Sequence, residues 1–251
     1  MPVALLILIF AVLTVLVLVA VRLFVTGCLQ RSIPELALAA FFLFGGAVTF
    51  GFELIAREFL TDSLEWQTRF RTVSYLGARV PAVAIALFTW RVFRPTGRWA
   101  ALLFTLISGT MLALSVNHLV LGHSTPGSGP AFWLGVTTTV VALGWAMADS
   151  FAYYRSSVRK LALGLTTAVV TNRFLLWSVW SGAAMLVVVG KVSVMLLFDL
   201  DGPFTPARGA VAVVQSFLGL ICVTALTLTF YPPAAYKRWV ESRASATLAA
   251  N

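Results

Sequence analysis

The sequence predicts an all-α, polytopic membrane protein: a bundle of seven transmembrane helices, N-terminus outside and C-terminus cytoplasmic. Three observations carry this expectation. Hydrophobic residues make up 60% of the chain and charged residues only 11%, too little polar surface to solvate a globule in water. Seven apolar stretches fill most of the sequence, each near the roughly 20 residues that a helix needs to cross a ~30 Å hydrocarbon core. Arginine and lysine gather on alternate connections between those stretches.

The spans are expected at Val3–Leu23, Pro34–Leu54, Thr72–Trp90, Trp99–Leu121, Ala131–Phe151, Arg173–Phe198 and Gly209–Tyr231. Each must be helical, because backbone donors and acceptors in hydrocarbon have to be satisfied within their own segment. A transmembrane β-barrel would alternate apolar and polar residues, whereas Ala4–Val21 is apolar almost without a break. The longest polar interruptions, Ala56–Arg71 and Tyr153–Lys160, are too short to fold alone, so one membrane domain over residues 1–251 is expected.

The first span has no positive charge before it and meets Arg22 after it. That is the reverse of a signal peptide, so the span is read as retained. The first, third and fifth connections and the tail carry twelve of the basic residues, and the other side carries Arg57, Arg69, Arg71 and Arg208. The richer side is expected to be cytoplasmic. Arginine outnumbers lysine 15 to 3, which hints at a GC-rich bacterial genome, so the expected location is a bacterial inner membrane. The net charge of +9 would suggest nucleic acid in a soluble protein. On membrane loops it matches anionic lipid instead, so the expected partner is the bilayer and not nucleic acid.

Trp90, Trp99, Trp177 and Trp239 fall near one boundary, and Trp66 and Trp133 near the other, as an aromatic belt requires. Leu161–Thr171 is apolar between Arg159-Lys160 and Asn172-Arg173 and is expected to lie at the inner membrane surface as an amphipathic helix. Pro232-Pro233 should end or kink the last span. An amphipathic tail over 235–246 then turns Tyr236, Trp239 and Val240 toward lipid. Gly122–Pro130 reads as a turn. Ala47 with Gly51, and Ser178 with Gly182, stand four apart, a spacing that lets helix backbones approach. Cys28 and Cys222 form neither a disulfide framework nor a metal-ligand spacing.

Ionisable residues inside a span usually face a bundle interior or a watery cavity. Glu53 and Arg57 close the outer end of the second span, and Asn117 and His118 approach that of the fourth. Arg79 lies about 10 Å into the third span and Lys191 about a turn and a half before the end of the sixth, at ~1.5 Å rise per residue. These six are the expected ligand-binding residues of an outward-facing polar pocket. There, Arg79 and Lys191 would bind an anion or pair with Glu53. The alternative stays open: Arg79 and Lys191 snorkel to the interface, and Glu53–Arg57 is a local i, i+4 pair. Asp149 is expected to pair with Arg155 or Arg173.

The chain has no glycine-rich phosphate loop, zinc motif or nucleophile elbow. No catalytic or metal-ligating residue, no cofactor and no enzymatic activity is therefore expected. Lys191 falls in the sixth span and no lysine in the seventh, which excludes a retinal protein of the microbial type.

The run Arg159-Lys160-Leu161-Ala162-Leu163-Gly164-Leu165, followed by Val169-Val170-Thr171-Asn172-Arg173-Phe174-Leu175-Leu176-Trp177, resembles the segment entering the sixth helix of certain uncharacterised bacterial seven-helix proteins. Related modules serve as membrane sensor regions ahead of histidine-kinase or cyclase domains. No output domain is expected after Asn251. The resemblance implies a stand-alone sensor or signalling module, or an accessory subunit of a membrane complex. Its partners would be other membrane subunits or a separate cytoplasmic signalling protein. Physically, Asn172 and Arg173 are expected to cap and anchor the sixth helix. A seven-helix transporter of small solutes is the alternative.

Overall fold

The computed structural model describes residues 3–60, 63–121, 129–197 and 206–249. Every regular element among them is helical: α1 Val3–Gln30, α2 Ile33–Phe42, a π-helical segment Leu43–Gly51, α3 Phe52–Glu58, α4 Leu64–Gly77, α5 Val80–Phe93, α6 Arg98–Leu121, α7 Pro130–Ala162, α8 Ala168–Leu197, α9 Pro206–Phe230 and α10 Ala234–Ala249. Seven stretches of these helices are long and apolar enough to cross a membrane. The chain is a multi-pass membrane protein. Its contacts fall into two compact units, Met1–Ala142 and Leu143–Asn251.

In the first unit, α1 runs to Gln30, past the expected end at Leu23, and the turn to α2 is only Arg31 and Ser32. Ser32 closes it by donating its N–H to the Gly27 carbonyl at 2.9 Å. The second span is not one regular helix. It passes from α2 through the nine-residue π segment into α3, where the Thr49 hydroxyl bonds the Phe44 carbonyl five residues back at 2.6 Å. Ala47 and Gly51 are not the approach point expected of them as a pair. Among the described residues nothing lies within 4 Å of a Cβ built on Gly51, whereas one on Gly46 would meet Leu16 and one on Gly45 would meet Pro81.

The third span starts earlier than its charges imply. Leu64–Gly77 is helical, although it holds Glu65, Arg69 and Arg71, because Glu65 and Arg69 satisfy each other at i, i+4 and Arg69 covers the Trp66 ring at 5.0 Å. Local pairing of that kind offsets the polar cost of an exposed helix. The span then breaks at Ala78-Arg79. Pro81 has no N–H to return to the Gly77 carbonyl, and Arg79 bonds the Leu76 carbonyl at 3.1 Å in a tighter turn.

In the second unit, α7 continues to Ala162, through the expected interruption at Tyr153–Lys160. The in-plane helix expected over Leu161–Thr171 does not form. Gly164 takes φ +69°, and the N–H groups of Leu165 and Gly164 return to the carbonyls of Lys160 and Leu161 at 2.9 and 3.0 Å. That is a Schellman ending, and its left-handed residue is a glycine because glycine alone pays no Cβ penalty there. Thr167 then caps α8, its hydroxyl accepting from the Val170 N–H at 3.3 Å, as N-cap oxygens do. Asn172 therefore sits inside the helix and is not the cap expected of it.

Ser178 is buried, and a Cβ on Gly182 would meet the Met147 Sδ at 3.0 Å, so this small pair does mark a close approach. Trp177 is no interface anchor, being buried against Trp180 at 5.2 Å and Phe230 at 5.8 Å. Trp66, Trp99, Trp133 and Trp239 are exposed, as anchors should be. Asp149 is buried and accepts the Trp145 indole N–H at 2.9 Å. Helix α9 ends at Phe230, before Pro232-Pro233. In α10, Val240 is only 8% exposed and Trp239 is 52% exposed. The Tyr236 hydroxyl takes a hydrogen bond from the Asn172 amide. Of the three residues expected to face lipid, only Trp239 is turned outward. Phe198 and most of the turn 122–130 lie outside the described residues.

Candidate functional site

The break in the third span decides where Arg79 goes. A regular helix through Pro81 would leave the Gly77 carbonyl without a donor; the chain instead turns at Ala78 and starts α5 with Arg79 as its first flanking residue. Across from this break lies the other irregular stretch of the first unit, the π segment. The Ser74 hydroxyl donates to the Thr49 carbonyl at 2.7 Å. A Cβ on Gly77 would come within 2.8 Å of Val48 Cγ1, and one on Gly45 within 3.1 Å of Pro81 Cγ. Two departures from helical regularity therefore pack face to face. π segments occur frequently at functional sites.

At the break, the Arg79 guanidinium carbon sits 4.3 Å above the Tyr75 ring. The Tyr75 ring is stacked on the His118 imidazole of α6, with centroids 4.0 Å apart and planes inclined by 29°. The Nη1 end of Arg79 lies against buried Gly135 of α7, so closely that a Cβ there would be 3.1 Å from Cζ. The Arg79 Nε is buried and meets no acceptor among the described residues. Tyr75 of α4, backed by His118 of α6, and Gly135 of α7 thus hold a half-buried guanidinium by its face and one end, and leave the Nε donor unmatched among the described residues.

That arrangement has a clear chemical capacity. A guanidinium is charged at any accessible pH and presents donors in a planar fork suited to a carboxylate or phosphate. A buried donor with no partner costs roughly 1–3 kcal/mol, which an anionic ligand would relieve. Stacking on an aromatic face holds the fork in plane, worth about 0.5–2 kcal/mol depending on desolvation.

The six residues expected from sequence divide unevenly. Arg79 and His118 are brought together, through Tyr75. Asn117, on the next position of α6, turns elsewhere: with Leu114, Pro130, Ala131 and Leu134 it lines a groove of about 540 Å³ between α6 and the start of α7. Glu53 is exposed on α3, and it forms no ion pair with Arg79 among the described residues. The side chains of Arg57 and Lys191 lie outside the described residues. Tyr75 and Gly135 were not expected. Tyr75 was legible, standing four before Arg79 on one helix face; nothing in the sequence singles out Gly135. Among the described residues, no group of three or more His, Cys, Asp or Glu side chains is placed to hold a metal ion.

No protein family matches this chain, and neither a curated protein nor a solved structure is similar to it.

Proposed function

We propose that this protein is a non-enzymatic membrane sensor that binds a small anion at the Arg79–Tyr75–His118 stack and passes the event on through its helices. The observation that supports this is the guanidinium at the span break, stacked on one face and left with a buried, unmatched donor. A residue that only snorkelled would carry its charge out to water. Here the charge is folded back over Tyr75 instead.

The bias of arginine and lysine toward alternate connections supports an N-terminus outside and a C-terminus in the cytoplasm of a bacterial inner membrane. In that orientation the stack lies toward the outer face. The likeness of residues 159–177 to sensor segments favours a signalling role, with relay through a partner protein. The described site offers an arginine fork and two stacked rings but no nucleophile beside a base.

The direct test is thermal unfolding of the detergent-solubilised chain against small carboxylates and phosphate esters, with Arg79→Gln alongside. The proposal expects at least one anion to raise the midpoint of the native chain and to leave Arg79→Gln unmoved. A flat response to every anion, or an equal response in Arg79→Gln, refutes it.

A further inference from the structure

One end of the second unit gathers basic residues from three elements. The Schellman turn after α7 folds the chain straight back into α8, and the Thr171 hydroxyl reaches the Ser157 carbonyl at 3.5 Å. That sets the last turns of α7, with exposed Arg155, Arg159 and Lys160, beside the first turns of α8, with exposed Arg173. The Asn172–Tyr236 hydrogen bond then pins α10 to the same turns of α8. Helix α10 contributes exposed Lys237, Arg238 and Arg243. Seven exposed cations from distant parts of the sequence are thus carried by helix ends that these two bonds tie together, with Glu241 the only acidic side chain on α10.

Helix α9 ends at Phe230 and α10 begins four residues later, so this cluster stands where an apolar span gives way to the headgroup layer. Between the cations lie exposed apolar side chains: Leu163 and Leu165 on the turn, and Trp239 on α10, with the Arg243 guanidinium 5.0 Å above its ring. Tryptophan at a membrane boundary settles among headgroups, and basic side chains beside it attract anionic lipid.

We propose that this basic end is a docking surface for anionic phospholipid headgroups, with Trp239 as its apolar anchor and Arg173, Lys237, Arg238 and Arg243 as the phosphate-binding cations. The bilayer that the spans cross supplies this partner directly. The hydrogen bond from Asn172 to Tyr236 makes the surface a fixed constellation on α8 and α10.

The test uses the full chain, purified in a neutral detergent, with phosphatidylglycerol or phosphatidylcholine added and bound lipid counted by native mass spectrometry. The expected result is at least a tenfold preference for phosphatidylglycerol, lost when Arg173, Lys237, Arg238 and Arg243 are all changed to Gln. It should be retained when Arg69 and Arg71 of the other unit are changed to Gln. If the fourfold variant does not fold, the native chain still decides: its preference should collapse at ~1 M salt, where the Debye length falls to about 3 Å. Equal retention of both lipids, a preference that survives the fourfold change, or a preference indifferent to salt overturns the proposal. So does displacement of the lipid by inorganic phosphate at equal concentration, which would make this a free-anion site. Stoichiometric capture of an acidic protein with no lipid preference would also overturn it.

Discussion

Gly135→Ala probes the packing that holds Arg79 in place. The added methyl carbon would stand 3.1 Å from the guanidinium carbon, against the roughly 3.5–4.0 Å at which carbon atoms rest. The Nη1 end must retreat further still. The guanidinium would then slide from its place 4.3 Å above Tyr75, forfeiting about 0.5–2 kcal/mol of cation–π attraction. Alanine in place of glycine inside a helix returns up to about 1 kcal/mol. The two effects nearly cancel, so Gly135→Ala alone should shift stability by less than about 1 kcal/mol, or roughly 2–4 °C for a chain of this size. The discriminating measurement is a double-mutant cycle with Arg79→Ala, read by thermal unfolding in detergent. Once the guanidinium is gone, so are the three heavy atoms nearest that methyl group, and Gly135→Ala should recover most of its helix-propensity gain. A coupling of about 0.5–2 kcal/mol is expected, within the range found for residues in contact. If Gly135→Ala stabilises equally in both backgrounds, Arg79 does not occupy this position and the stack is wrongly assigned.

Three further outcomes follow from other contacts. Ser74→Ala removes the 2.7 Å bond to the Thr49 carbonyl; it should cost about 1 kcal/mol and speed amide exchange in Leu43–Gly51, and unchanged exchange there would mean that the bond does not hold the π segment. Gly164→Ala forces a Cβ into φ +69° and should lower stability by roughly 1–2 kcal/mol, whereas an unchanged or higher unfolding midpoint would contradict the Schellman ending. Burial raises the Tyr236 phenol above its ordinary value near 10, only partly opposed by the Asn172 hydrogen bond. The folded chain therefore holds that proton more tightly than the unfolded one. The stabilisation is complete below pH about 10 and fades as pH climbs through the raised value. Phenolate absorbance and unfolding midpoints in alkali, compared with Tyr236→Phe, check this; an identical decline in the variant would remove Tyr236 as its source.

The residues that the sequence placed correctly are those governed by local rules. Seven spans follow from the cost of apolar surface in water and of unpaired backbone in lipid, and Pro232-Pro233 ends α9 because proline offers no donor. Charge does not mark the edge of a helix in this chain. Arg69 sits on α4 because Glu65 and Trp66 answer it locally, and Arg155 sits on α7 because that helix continues past the apolar stretch. Apolarity alone likewise misled at Leu161–Thr171, where the left-handed Gly164 and the Thr167 cap turned an expected surface helix into a tight reversal.

The sequence on its own determined that the chain is helical, that it has seven stretches able to cross a membrane, and that Arg79 and His118 are out of place in lipid. Only tertiary packing decided that these two share the Tyr75 ring, that Asn117 turns to a separate groove, and that Tyr236 and Val240 face protein. Hydrophobicity is a property of each segment and can be summed along the chain. Stacking, close approach at Gly135 and the match of one irregular span to another depend on which helices become neighbours, and no local pattern encodes that.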